Sequence, residues 1–185
     1  MRRAVPVLIL VGLMWLSEFV DAALRVNLDS LGIRPREFDG LSGIVLSPFL
    51  HLGFGHLMAN TSALLLLGAL LAWTTRHLWA VTIGVVLLGG LAVWLLAEPN
   101  TVTIGASGLV YGYAAFLAVY GFVARRLVPA LVAVLIIVMY GGLVWGVLPL
   151  APGVSWQGHL FGAMAGLVLA LRLGRGDRVV PRSFV

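Results

Sequence analysis

Six stretches of about twenty apolar residues recur along this chain of 185, at about 4–24, 55–74, 78–97, 108–123, 127–148 and 155–173. The hydrocarbon core of a bilayer is roughly 30 Å thick and offers no water to backbone polar groups, so an apolar segment of about 20 residues crosses it as a helix. The repetition predicts an all-α membrane protein. One six-helix bundle uses the whole chain, 1–185, with 174–185 as a cytoplasmic tail and no room for a separate soluble domain. Composition agrees: 61% of residues are hydrophobic, 10% are charged, and the mean hydropathy is +1.07.

Charge gives the topology. All twelve basic residues are arginine. If the spans alternate, Arg2, Arg3, Arg76, Arg125, Arg126, Arg172, Arg175, Arg178 and Arg182 fall on one side, with Arg25, Arg34 and Arg36 on the other. Basic residues accumulate on the cytoplasmic side, so both termini are expected in the cytoplasm of a multi-pass cell-membrane protein. The net charge of +5 is not read as a nucleic-acid surface, because the arginines sit in small groups between apolar segments. Met1-Arg2-Arg3 followed by Val5 to Leu16 has the form of a signal peptide, with Val20-Asp21-Ala22 a passable cleavage site. Cleavage would leave five spans and strand the basic loops on the wrong side, so a retained first span is expected. Without cysteine, no disulfide, iron–sulfur or thiolate–metal chemistry is available.

Between the first two helices runs a long external loop of about 30 residues, carrying Asp29, Arg34, Arg36, Glu37 and Asp39 and then Leu46 to Leu50. Its mixture of charge and apolar residues suggests a structure lying partly in the interface. Glu18 and Asp21 lie near the outer end of the first helix, where Asp21, four residues before Arg25, is read as an ion-paired helix end.

The chemistry-bearing residues are few. Gly105-Ala106-Ser107-Gly108 opens the fourth apolar helix, and His159 follows Ser107 by 52 residues near the start of the sixth. A serine between glycines at a helix N-terminus has backbone freedom and a local positive dipole, both of which favour a nucleophile and its oxyanion. Histidine is suited to take its proton near neutral pH. At a rise of about 1.5 Å per residue, His159 lies roughly 21 Å, and Ser107 roughly 24 Å, from the inner boundary. Thr101 to Ile104 then enter the membrane without forming a span, which implies a protein-lined, wet cavity. These residues predict a serine hydrolase inside a membrane.

The two helices meet if their small residues do: Gly108 and Gly112 on one, Gly158, Gly162 and Gly166 on the other. Tyr111, one turn below Ser107, is expected against the His159 ring, and no carboxylate is placed to complete a triad, so a dyad is predicted. A third cluster, His51, His56 and Asn60, opens the second helix. His56 and Asn60 share a face and are read as oxyanion donors beside the Ser107 backbone N–H. A metal site is the rival reading, disfavoured because an amide oxygen is a poor transition-metal ligand and no cysteine or helical carboxylate completes the set. No metal and no cofactor are expected. His77, beside Arg76, is read as interfacial and inert.

Gly32 to Arg36, Pro48-Phe49-Leu50-His51, His56 to Asn60, Gly105 to Gly108 with Tyr111, and Gly158-His159 with Gly162 and Gly166 together resemble the rhomboid intramembrane serine proteases, in their minimal six-helix bacterial form. The resemblance covers nearly the whole chain. It implies a rhomboid-like bundle with a Ser107–His159 dyad, His56 and Asn60 as oxyanion-stabilising residues, Tyr111 stacked on the histidine, and Gly162 as the glycine on which the catalytic helices pack. His51 and Gly105 would support the site. It also implies single-span membrane proteins as substrates, cut at a small residue near the outer face, toward which the site opens. Two features depart from the family pattern: the external loop lacks the Trp-Arg pair often found there, and Ala72 stands where a glutamate is frequent. Inactive relatives that bind membrane clients provide the alternative reading. A transporter or channel is disfavoured, because the only intramembrane acids lie near one helix end. Oligomeric state is left open.

Overall fold

The computed structural model describes residues 5–151 and 153–179. Its helices are α1 (Val5–Leu24), the short α2 (Gly43–Leu46), α3 (Gly53–Thr74), α4 (Leu78–Leu96), α5 (Ser107–Ala124), α6 (Leu127–Tyr140), which continues as a 3-10 helix over Gly141–Val147, and α7 (Trp156–Val179). No strand occurs among the described residues; one antiparallel bridge joins Ile33 to Thr103. The all-helical expectation therefore holds.

Among the described residues, five segments are long and apolar enough to cross a membrane: Val5–Leu24, Gly53–Thr74, Leu78–Leu96, Ser107–Ala124 and Leu127–Val147. The sixth expected span, α7, has the length but carries Gln157, His159 and Arg172 along it and Arg175, Asp177 and Arg178 at its end. Length and composition thus mark five spans. The outer helices expose apolar side chains, Leu8, Leu13 and Leu16 on α1 and Leu131, Ile137 and Val138 on α6. α5 lies at the centre, with Tyr113, Phe116 and Tyr120 almost fully buried. Such a pattern fits lipid, where apolar surface faces outward without cost and helices cohere by close packing.

The closest packing is between α5 and α7. A Cβ on Gly162 would land on the carbonyl of Gly108, and one on Gly166 would land on the carbonyl of Gly112. Backbone touches backbone along this seam, as the small-residue spacing predicts. Polar ties fix neighbouring helices: Trp15 Nε1 donates to Thr61 Oγ1 (3.1 Å), joining α1 to α3, and the Tyr113 and Thr82 hydroxyls meet at 2.6 Å between α5 and α4.

The connection from 25 to 52 is not an open loop. It is wound into 3-10 turns at Leu28–Leu31, Phe38–Leu41 and Ser47–Phe49 around α2. Arg34 pairs with Asp39 and Glu37, Arg36 Nη1 donates to Leu95 O (2.9 Å), and Trp94 Nε1 donates to Glu37 O (2.8 Å). The expected Asp21–Arg25 ion pair is not among the ion pairs of the described residues. Arg25 turns the chain with φ +53°, and Asp21 accepts the Leu28 N–H instead.

α7 runs past the apolar stretch at 155–173 to Val179, so the first part of the expected tail, from 174, is helical, and 180–185 lie outside the described residues. The cause is Asp177. Its buried carboxylate accepts from Tyr120 and lies 3.0 Å from His77 Nε2 and 3.3 Å from Arg76 Nη2, while Arg126 Nη2 reaches its backbone carbonyl at 3.3 Å. His77, read as interfacial and inert, is thus a structural partner of Asp177. Asp177 holds the α3–α4 turn and the α5–α6 turn to one helix end.

Candidate active site

Ser107 is the first residue of α5, and three contacts hold the approach to it. Gly105 has φ +99°, a left-handed conformation that glycine adopts without strain, and its N–H donates to Ser47 O at 2.8 Å. The Ala106 N–H points at His51 Nε2, 3.4 Å away. The Ile33–Thr103 bridge, with N–H···O distances of 3.0 and 2.9 Å, fixes the strand-like entry two residues earlier. The segment expected to dip without spanning is therefore tied to the external connection.

On α7, Ser155 caps the helix: its Oγ accepts the Gly158 N–H (3.2 Å) and meets Thr103 Oγ1 at 3.0 Å. His159 follows by one turn, buried, with its Nε2 2.9 Å from Ser107 Oγ. The Tyr111 ring stacks on the imidazole at a centroid distance of 4.1 Å and an interplanar angle of 9°. His159 Nδ1 lies 2.9 Å from the carbonyl oxygen of Gly146. A carbonyl only accepts, so Nδ1 carries the ring proton and the Nε2 lone pair faces the serine hydroxyl.

Across the site, His56 and Asn60 converge on Gly105, as their helical spacing predicts. A Cβ there would fall 3.0 Å from His56 Nε2 and 3.9 Å from Asn60 Nδ2. Asn60 Nδ2 donates one hydrogen to the His56 carbonyl (3.1 Å), which leaves its second for the site. His51 packs edge-on against His56, centroids 5.1 Å apart. Burial first, and then the neighbouring His56, push the His51 imidazole down to about 4, so it is neutral near pH 7 and able to accept the Ala106 N–H. A cleft of about 730 Å³ opens between His56, Asn60, Ser107, Tyr111 and His159. Among the described residues no three His, Asp or Glu side chains are grouped to hold a metal.

Ser107, His159, Tyr111, His51, His56, Asn60 and Gly105 thus lie together, with Gly162 on the seam one turn beyond His159. Gly146, Ser155, Thr103 and Ser47 were not singled out from the sequence. Ser155 carried a legible cap signal, three residues before Gly158. The others act through backbone atoms or a loop packing that no local pattern announces.

The fold and this pairing define a helical multi-pass membrane protein with a hydroxyl and an imidazole joined across two helices. Residues 39–176 match the Rhomboid domain, and the chain belongs to the rhomboid family. It is 42% identical over 183 residues to uncharacterized proteins of Mycobacterium tuberculosis and Mycobacterium bovis, covering 93% of this chain and 75% of each relative. An uncharacterized protein of Mycobacterium leprae is 41% identical over 189 residues, covering 96% and 74%. No solved structure gives a significant match.

Proposed function

We propose that this protein is an intramembrane serine endopeptidase that cuts peptide bonds in or near the transmembrane segments of single-span membrane proteins. The observation that carries the reading is the 2.9 Å approach of His159 Nε2 to Ser107 Oγ in the lining of a cleft. Ser107 Oγ attacks the substrate carbonyl carbon while its proton passes to His159 Nε2. His56, Asn60 and the Ser107 N–H stabilise the oxyanion. The C–N bond breaks as His159 returns the proton to the leaving amine, giving an acyl-enzyme. Water, deprotonated by the same imidazole, then releases the new carboxyl end and restores the serine. No cofactor or metal takes part.

In this reading α7 is the sixth span, with His159 and Asp177 buried in the bundle and Arg172, Arg175 and Arg178 exposed toward its end. The protein lies in the cytoplasmic membrane with both termini in the cytoplasm and the site open to the outer face. Nine arginines on one side against three on the other support that orientation. A serine-reactive fluorophosphonate probe on the detergent-purified protein tests the chemistry without a known substrate. Labelling of the wild type, lost in Ser107→Ala and His159→Ala, is expected. A folded wild type that stays unlabelled in both detergent and lipid would make the protein a non-catalytic binder of membrane clients.

A further inference from the structure

His159 has no carboxylate behind it, yet its Nδ1 is not left to solvent. The Gly146 carbonyl oxygen lies 2.9 Å away, on the 3-10 continuation of α6. Gly146 differs from the other glycines of this segment. A Cβ on Gly141 or Gly142 would meet nothing within 4 Å, whereas one on Gly146 would fall 2.9 Å from Tyr111 Cζ, closer still to the Tyr111 hydroxyl, and 3.4 Å from His159 Nδ1. Only a residue without a side chain lets the carbonyl reach the imidazole past the stacked tyrosine.

The segment that carries this carbonyl sits at the edge of the bundle. Val144 and Trp145, just before Gly146, are 57% and 65% exposed. The contact is therefore made by a peripheral strip of backbone and not by the α5–α7 seam that sets the serine–histidine distance.

We propose that the Gly146 carbonyl is a positioning group for the dyad, holding His159 in the Nδ1–H tautomer so that Nε2 faces Ser107 as a base. The inference rests on the Ser107–His159 reading and adds the element that arms it. When the Ser107 proton moves to Nε2, the imidazolium keeps its Nδ1–H on the Gly146 oxygen. No proton passes to the carbonyl, and the bond strengthens as positive charge develops on the ring. Losing a hydrogen bond to a developing charge corresponds to a rate loss on the order of 10- to 100-fold. Outward displacement of Gly141–Val147 would have the same effect, so the Ser107 hydroxyl is fully activated while this strip is seated.

The test compares wild type, Gly146→Ala and Gly142→Ala in detergent, reading the fluorophosphonate labelling rate and the ring-nitrogen NMR signals of 15N-histidine-labelled protein, with His159 assigned by His159→Gln. Expected are an Nδ1–H tautomer for wild-type His159, a tautomer mixture and labelling slower by about 10- to 100-fold in Gly146→Ala, and wild-type behaviour in Gly142→Ala. Adding Tyr111→Phe to Gly146→Ala removes the closest clash and should restore part of the rate; it also stands in if the single variant does not fold. A proton on Nε2 in the wild type, or an unchanged tautomer and rate in Gly146→Ala, would overturn the proposal while leaving the dyad intact. Failure of the dyad itself would show separately, as a wild type that does not label or a Ser107→Ala that does.

Discussion

Ser107 fills no core position, so Ser107→Ala should abolish cleavage while moving the thermal midpoint of the solubilised protein by only about 1–2 °C. Retained cleavage would remove Ser107 from the chemistry. Asn60→Ala should lower kcat by about 100- to 1,000-fold with a much smaller change in KM, because an oxyanion donor acts mainly in the transition state. Equal losses in both would assign Asn60 a packing role. For His51, the folded value of about 4 lies below the ordinary 6.5 of the unfolded chain. Between the two the unfolded chain binds a proton that the folded one refuses, so the His51 contribution is complete above about pH 6.5 and is lost as pH falls toward 4. Midpoints measured from about pH 7 to about pH 4.5 should therefore fall less steeply in His51→Phe than in wild type; equal slopes would deny the linkage. Ser107, His159, Tyr111 and Asn60 were legible because polar side chains stand out in so apolar a chain. Gly146 was not, because its contribution is a carbonyl that every residue possesses.

α5 and α7 meet backbone to backbone, and backbone cannot rotate away from an added methyl. Gly162→Ala should destabilise by about 1–3 kcal/mol, the usual range for overpacking, and should cost labelling of Ser107 because the seam sets the distance to His159. Gly176→Ala, whose Cβ would meet nothing within 4 Å, is the control and should leave both unchanged. Thermal unfolding with probe labelling reads both quantities; equal behaviour of the two variants would contradict the seam. The glycine spacing foretold this contact, and hydropathy located the five apolar spans to within a few residues. Two details escaped it for identifiable reasons. Within the expected 127–148 span, α6 changes to 3-10 geometry after Tyr140, at two glycines, and α7 outlasts its apolar stretch because Asp177, a residue that reads as solvent-facing, is buried among partners from distant turns. The connection before α3 read as loop because its order comes from Trp94, Leu95 and Thr103, 57 to 70 residues downstream of their partners.

Across the molecule charge is polarised, with six of the seven acids between Glu18 and Glu98 and Asp177 alone at the arginine-rich end. That lone acid joins Arg76, His77 and Tyr120. Asp177→Asn should lower stability by about 1–3 kcal/mol, the range for leaving buried polar partners incompletely satisfied, while the folded fraction still labels at Ser107, since the clasp and the dyad lie at opposite ends of α7. Loss of labelling in folded Asp177→Asn would instead make the clasp part of the site. The separation of Ser107 and His159 onto the fifth and seventh helices has a consequence for biosynthesis. On the proposed reading, a nascent chain that has delivered α5 to the membrane holds a serine with no base, and it would stay inert until Trp156–Val179 has been made and slotted against the glycines of α5, so the ribosome would finish this helix before the proposed protease could cut anything.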